Sequence, residues 1–269
     1  FKHCVDLMHD ASLRIVTLPQ LTGGQDWRLN LAHDRAESLM IWITRGQGRL
    51  LLGGQRRGVG THNAIVVPAR HLFALDLGRQ GVAQVMAVPQ GSALSFPQTA
   101  AQLRIREQEA MSELTALMEA ATREQQKARP LLNTAMDAHG TLISVWLQRQ
   151  MALDDHVPTR PNAAVRLTMA YSERISQHFQ KPMTMADHAE ALQVTPTHLT
   201  RACKAATGKT AAELLTERVL YEARHLLTST KVPAQDIARF LGFGSAAYFT
   251  RFMLQHTKST PSKLRQAAA

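Results

Sequence analysis

Cysteine is almost absent from this chain. Only Cys4 and Cys203 occur in 269 residues, too few and too far apart for a disulfide framework or a cysteine-based zinc site. A reducing cytoplasm is the simplest home for such a sequence. No apolar run approaches the roughly 18 residues needed to span a bilayer, so no membrane role is expected. The opening Phe1-Lys-His-Cys does not read as a signal peptide, and the missing Met is compatible with a true N-terminus further upstream. Nucleophile elbow, phosphate loop and cysteine-protease signatures are all lacking. Acidic residues are also scarce relative to basic ones, 21 against 31, for a net charge of +10.

That charge is unevenly placed. From Arg160 onward there are 15 Lys and Arg against 7 Asp and Glu, a net of +8, which leaves only +2 for the rest of the chain. A polyanion such as duplex DNA would be drawn to the C-terminal part, although a basic surface alone also suits RNA or an anionic membrane. A duplication in the same region narrows the choice. The first copy reads Asp187-His-Ala-Glu-Ala-Leu192-Gln-Val194, a turn at Thr195-Pro196, then Thr197-His-Leu199-Thr-Arg201. The second reads Asp236-Ile-Ala-Arg-Phe-Leu241-Gly-Phe243, a turn at Gly244-Ser245, then Ala247-Tyr-Phe249-Thr-Arg251. Each is a short helix, a tight turn and a second helix with polar positions outward, the helix-turn-helix plan. The copies are offset by 49 residues in the first helices and 50 in the second, so the second turn carries one extra residue.

Length and a hydrophobic content of 45% allow two cores. Short runs rich in Val, Ile, Leu and Trp (39–44, 49–52, 64–67, 72–77 and 82–88), punctuated by glycines, predict an antiparallel barrel or sandwich up to about residue 100. The period then becomes helical, with stripes over Glu107–Lys127 and Leu131–Met151. The predicted division is a sensing and dimerisation domain at 1–153, with its helices in 101–153, a linker at 154–161 containing Pro158 and Pro161, and an all-α domain at 162–269. The expected class is thus α+β in two domains. Thr184 and Thr195 are placed to cap helices, Pro196 and Pro233 to open them, and Gly208 to end one. A helix from about Thr210 to Leu227 joins the two copies and fixes their separation.

The C-terminal part resembles the DNA-binding domain of the AraC/XylS family of bacterial transcription regulators. The resemblance rests on Ala189-Glu-Ala-Leu192, Leu199-Thr-Arg201, Arg218-Val-Leu-Tyr-Glu-Ala223-Arg-His-Leu226-Leu227, Ile237-Ala-Arg-Phe-Leu241-Gly-Phe243, Tyr248-Phe-Thr-Arg251 and Pro261-Ser-Lys-Leu-Arg265, in order, over roughly 163–266. It implies two recognition helices in successive major grooves, about 34 Å apart. The DNA-facing candidates are Thr197, His198, Thr200, Arg201 and Lys204 in the first helix and Ser245, Ala246, Ala247, Thr250 and Arg251 in the second. Arg201 is the leading base reader because a guanidinium contacts guanine bidentately, and Lys204 suits phosphate. The second set is smaller and more apolar, so the first helix should carry more specificity. Competing bland roles are a structural ion pair for Arg251, solvated surface for Thr200 and Thr250, and packing for Tyr248. Departures from the family pattern are His188, expected as a hydrogen-bonded core histidine, Cys203, Met253-Leu254, and Lys258 where Gly normally ends the last recognition helix.

The N-terminal part resembles, more weakly, the cupin-like sensing domain of the same family, through Gly60-Thr-His-Asn-Ala-Ile-Val-Val-Pro68. The closely spaced His-x-His of cupin enzymes is missing; His33, His62 and His71 are scattered, and no metal or cofactor is expected. Met40, Trp42, Phe73 and Met86 could line an apolar effector pocket, although ordinary core explains each equally well. The helical stripes pack on the barrel or pair with a second subunit. The expectation is therefore a cytoplasmic, nucleoid-associated, homodimeric activator that binds double-stranded DNA, contacts RNA polymerase and answers to a small-molecule effector. The alternatives are a cupin-type metalloenzyme with an accessory DNA-binding domain, and a ligand-independent architectural DNA binder.

Overall fold

A computed structural model describes residues 12–153 and 161–267; the expected linker, apart from Pro161, lies outside them. The N-terminal strands are β1 (Arg14–Thr17), β2 (Ser38–Arg45), β3 (Gln47–Leu52), β4 (Gln55–Gly60), β5 (Asn63–Val67), β6 (Phe73–Asp76), β7 (Val82–Val88) and β8 (Ala101–Arg104). Two short helices, α1 (Leu18–Thr22) and α2 (Trp27–Asn30), interrupt them early, and α3 (Gln108–Lys127) and α4 (Leu132–Met151) follow. All pairings are antiparallel, in a five-stranded sheet of order β1-β7-β2-β5-β8 and a three-stranded sheet of order β4-β3-β6. The sheets stay open, so the sandwich expectation holds and the closed barrel does not. The hand-over is local: a register shift between Ile43 and Arg45, followed by Gly46 at φ 99°, turns the chain from one sheet into the other.

Strand alternation places every layer. Leu39, Ile41, Ile43, Ile65 and Val85 of the large sheet meet Leu50, Leu52, Phe73 and Leu75 of the small one. The opposite face of the large sheet, with Met40, Trp42, Val66 and Met86, is covered by Leu114, Met118, Ile143 and Trp146 of α3 and α4. Residues Ser38 to Ile43 of β2 are therefore buried on both faces, which is why that strand reads as a continuous apolar run rather than an alternating one. Residues 101–104, expected with the helices, instead form β8 against β5, where Leu103 turns inward. Four-residue β1 and β8, and the glycine- and arginine-rich β4, carry too little periodicity to be seen as strands in the sequence.

The C-terminal domain consists of α5 (Ala163–His178), α6 (Met185–Glu190), α7 (Pro196–Thr207), α8 (Ala211–Ser229), α9 (Ala234–Phe240), α10 (Ala246–Thr257) and α11 (Pro261–Gln266). The caps are those expected. Thr184 forms a capping box with Asp187, Thr195 caps α7 through His198 N, and Gly208 ends it at φ 77°. Thr210 and Glu213 form a second capping box that starts α8. One core joins both copies, running from Tyr171, Ile175, Leu199 and Cys203 through Leu214 and Leu226 to Ile237, Phe249 and Met253.

Candidate nucleic-acid interface

The two copies superpose as sequence repeats down to single hydrogen bonds. α7 and α10 are both 12 residues long and both end on a left-handed residue, Gly208 at φ 77° and Lys258 at φ 58°. Thr207 Oγ1 donates to the Cys203 carbonyl and accepts from Lys209 N, and Thr257 Oγ1 does the same with Met253 and Ser259. Each turn hinges on a left-handed residue, Gln193 at φ 57° in one and Gly242 at φ 76° in the other. Val194 and Thr195 lead from the first hinge to α7, whereas Phe243, Gly244 and Ser245 lead from the second to α10. The extra residue of the second copy sits there. Gly242 itself admits no side chain, since a Cβ would lie 2.9 Å from the Gln180 carbonyl oxygen.

The helical faces divide as the period requires. In α7, Leu199, Ala202 and Cys203 are buried, while Thr197, His198, Arg201 and Lys204 are exposed and Thr200 is half-buried. Burial pushes the Cys203 thiol up to about 11, so it is a core group and not a nucleophile. In α10, Ser245, Ala246, Ala247, Thr250 and Arg251 are all exposed. Ser245 Oγ accepts from Tyr248 N as the helix cap, and Thr250 Oγ1 donates to the Ala246 carbonyl. Neither Arg201 nor Arg251 forms an ion pair with any described residue, so the structural role weighed for Arg251 is unfilled. Tyr248 is 54% exposed, with one contact to Phe243 at 5.7 Å and Arg251 at 6.0 Å over its ring. It stands on the outer face with Ala247 and Arg251 and not in the core, a placement that its position one residue before buried Phe249 could have shown. His188 is buried beside Tyr171, but its Nδ1 has no hydrogen-bond partner; desolvation holds its pKa below the usual value.

α8, which joins the two copies, is also what the N-terminal domain grips. Arg218 is buried between Asp34 at 2.6 Å and Glu222 at 2.8 Å, and its guanidinium lies 3.6 Å from the Phe179 ring centre. Burial opposes this charge, but the two carboxylates outweigh it and hold the guanidinium above its usual pKa. His33 stacks on Tyr221 at 4.2 Å and meets Phe73 at 4.4 Å. Trp27 packs on Tyr221 at 5.6 Å and lies under Arg224 at 4.3 Å, and Ala32 N donates to Glu217 Oε2 at 3.1 Å. Beside this contact lies a cavity of about 890 Å³, shared by Arg28, Arg35 and His71 from one domain and Ser172, Ser176 and His225 from the other. The four pocket candidates are elsewhere and not together. Met40, Trp42 and Met86 pack beneath α3 and α4, Phe73 packs between the sheets, and none of them borders this cavity. Among the described residues no group of three or more His, Cys, Asp or Glu is placed to hold a metal.

The profile of a helix-turn-helix domain family matches residues 188–267. The chain is 27% identical over 145 residues to the HTH-type transcriptional regulator CdhR of Pseudomonas aeruginosa, covering 50% of this chain and 43% of that one. It is 30% identical over 91 residues to the lactose operon transcription activator of Staphylococcus xylosus, 34% of this chain and 33% of the relative. With the probable transcription factor PqrA of Proteus vulgaris the identity is 39% over 69 residues, 26% and 57% of the two chains. The chain thus spans less than two thirds of the length of these relatives. Among solved structures, ToxT from Vibrio cholerae is similar over 95% of this chain and 98% of its own at 11% identity and a TM-score of 0.44. The C-terminal domain of AraT from Geobacillus stearothermophilus covers 40% of this chain and 88% of its own length at 29% identity and a TM-score of 0.37. The duplicated helices, their caps and the matched profile agree: residues 188–267 of this chain are a helix-turn-helix domain, and the chain is similar to transcription regulators that carry one.

Proposed function

We propose that the chain is a sequence-specific transcription regulator that reads two consecutive major-groove segments with α7 and α10. The observation that carries this reading is the pair of equal-length helices on one core, each with its polar face open to solvent. Arg201 contacts a base, and Lys204 and Arg251 serve phosphates or base edges. α7 contributes more discrimination than α10, whose outward Ala246, Ala247 and Thr250 offer chiefly methyl contacts to thymine.

Regulation follows from where the N-terminal domain holds its partner. An effector that alters the grip on α8 changes the arrangement of both readers, and this differential is a coupling free energy. The cavity between the domains is large enough for a small molecule and touches α8 through Arg218, Tyr221 and His225. Pairing of two chains through the outward side of α4, where Leu142 is 53% and Val145 38% exposed, supports a homodimer on paired sites. Activation through RNA polymerase and work on the bacterial nucleoid complete the reading. Among the described residues no helix is long and apolar enough to cross a membrane.

Selection of binding sites from a random duplex pool, followed by footprinting, tests this directly. Two half-elements about one helical turn apart are expected. No enrichment, at a salt concentration where the folded protein still binds DNA, would favour an architectural binder.

A further inference from the structure

We propose that the DNA interface of the first reader extends onto the N-terminal domain, where Arg56 of β4 neutralises a backbone phosphate beside α7. The inference rests on the reading of α7 as a recognition helix. β4 is an edge strand of the small sheet, and it packs against α5 and α7. Leu51 pairs with Arg56 on one side and with Ala74 on the other, so the three side chains share one face of that sheet. Leu51 and Ala74 belong to the core of the C-terminal domain. Arg56 therefore emerges at the rim of the surface on which the helix-turn-helix is seated.

Two glycines fix how close that seating is. Gly54, in the β3–β4 turn, lies against α5 so tightly that a Cβ would fall 2.5 Å from Met169 N and 2.8 Å from the Thr168 carbonyl carbon. Gly208, the left-handed cap that follows Thr207 at the end of α7, would place a Cβ 3.3 Å from Arg56 Nη1. Thr197, Arg201 and Lys204 follow one another at steps of four and three residues, which is one face of a helix, and Gly208, whose N–H donates to the Lys204 carbonyl, closes the helix at the end of that row. All four are exposed. The guanidinium of Arg56 thus occupies the next place in the row that carries the reading residues.

A purely structural role, bonding the last carbonyls of α7, would consume its donors. No hydrogen bond or ion pair links Arg56 to any described residue, whereas neighbouring Arg57 is engaged by Gln55 at 3.2 Å. An exposed, unspent cation at the end of a recognition face has the chemistry to meet the phosphates that border the groove. A contact of this kind would report the position of the N-terminal domain to the DNA without an intermediary.

The test is the salt dependence of DNA binding by the full-length protein, on a duplex carrying the selected site and on a random-sequence duplex. Arg56→Gln should lower the slope of log K against log salt by about 0.9, the value for one phosphate. The loss should be equal on both duplexes, leaving their affinity ratio unchanged. Arg56→Lys, which keeps a point charge, should retain the parental slope. Arg123→Gln removes an equal charge from α3, on the far side of the large sheet, and should leave the slope alone. Parental behaviour of Arg56→Gln, an equal fall with Arg123→Gln, or an equal fall with Arg56→Lys would each overturn the proposal. Lys204→Gln, run in parallel, separates the two levels of inference. If it lowers the slope and Arg56→Gln does not, only the extension fails; if neither does, the reading of α7 itself fails.

Discussion

Replacing Asp34 by Asn should loosen the two domains from one another. The side chain of Asp34 is 2% exposed and holds the Arg218 guanidinium, itself 5% exposed, at 2.6 Å. Removing one member of a buried pair costs about 3–5 kcal/mol, because the remaining charge stays desolvated. Glu222 still faces Arg218 at 2.8 Å, so the lower end, about 3 kcal/mol, is the appropriate figure. For a protein of this size that corresponds to a fall of roughly 6–12 °C in Tm, read by calorimetry at neutral pH. A companion variant, Asp34→Leu with Arg218→Met and Glu222→Leu, removes the whole triad and should recover most of the loss, since apolar replacement of a buried ion network is often neutral. Tm within about 2 °C of the parent for Asp34→Asn alone would refute the reasoning, because it would mean that water reaches Arg218 and the domains are not joined there.

Acid should weaken the same contact. Desolvation, reinforced by Arg35, Arg218 and His225, holds His33 well below 6.5, so the unfolded chain takes a proton that the folded chain refuses; stability is unaffected above about pH 6.5 and falls below it by about 1.4 kcal/mol per pH unit. A flat Tm between pH 7.5 and 5.5 would contradict this. Lys258→Gly should stabilise the protein by about 1 kcal/mol, because Lys258 adopts φ 58° and its one side-chain bond, from Nζ to the Gln255 carbonyl at 3.2 Å, is solvent-exposed and offsets little of that strain; denaturant titration measures it, and a loss of stability would show that the lysine bond outweighs the strain. Arg201→Ala should cost roughly 1–3 kcal/mol on the selected duplex and relax preference at one base position, whereas a uniform loss across sequences would reassign it to phosphate.

Most of the C-terminal domain could be read from sequence because its signals are local. A cap such as Thr195, a first-turn Pro196 and a terminal Gly208 act within one turn of helix, and the repeat states each of them twice. Lys258 shows that repeat position outweighs propensity: with an unfavourable residue, the helix still ends where its first copy ends. The N-terminal strands were visible where both faces are buried, as in β2 and β7, and hidden where the strand is short or charged, as in β1 and β4. Tertiary placement was the part that left no trace. Nothing in the spacing of Asp34 and Arg218, 184 residues apart, marks them as partners, and nothing in Gln55-Arg56-Arg57 marks that strand as the neighbour of α7. For the same reason the apolar side chains named as a pocket proved to lie in two different layers, since alternation tells which residues share a face but not which face meets an empty space.

The two readers are not held alike, and this asymmetry bears on how a signal could travel. The first copy touches the N-terminal domain through α5 and α7 at β4, and the joining helix touches it through Arg218, Tyr221 and Arg224. The second reader, α9 to α11, is held chiefly through the shared core and through Arg265, whose guanidinium bonds to the carbonyls of Leu227 and Val232 at the end of α8. A shift of the N-terminal domain therefore acts on α7 and α8 directly and reaches α10 through α8 and through the turn at Gly242, which lies against the Gln180 carbonyl. Coupling of this form changes the separation of the readers more readily than the shape of either one, because each is a packed unit with few alternatives. An effector that altered this contact would thus act on the spacing tolerance of the two half-elements, while the base preference within each half-element stayed fixed.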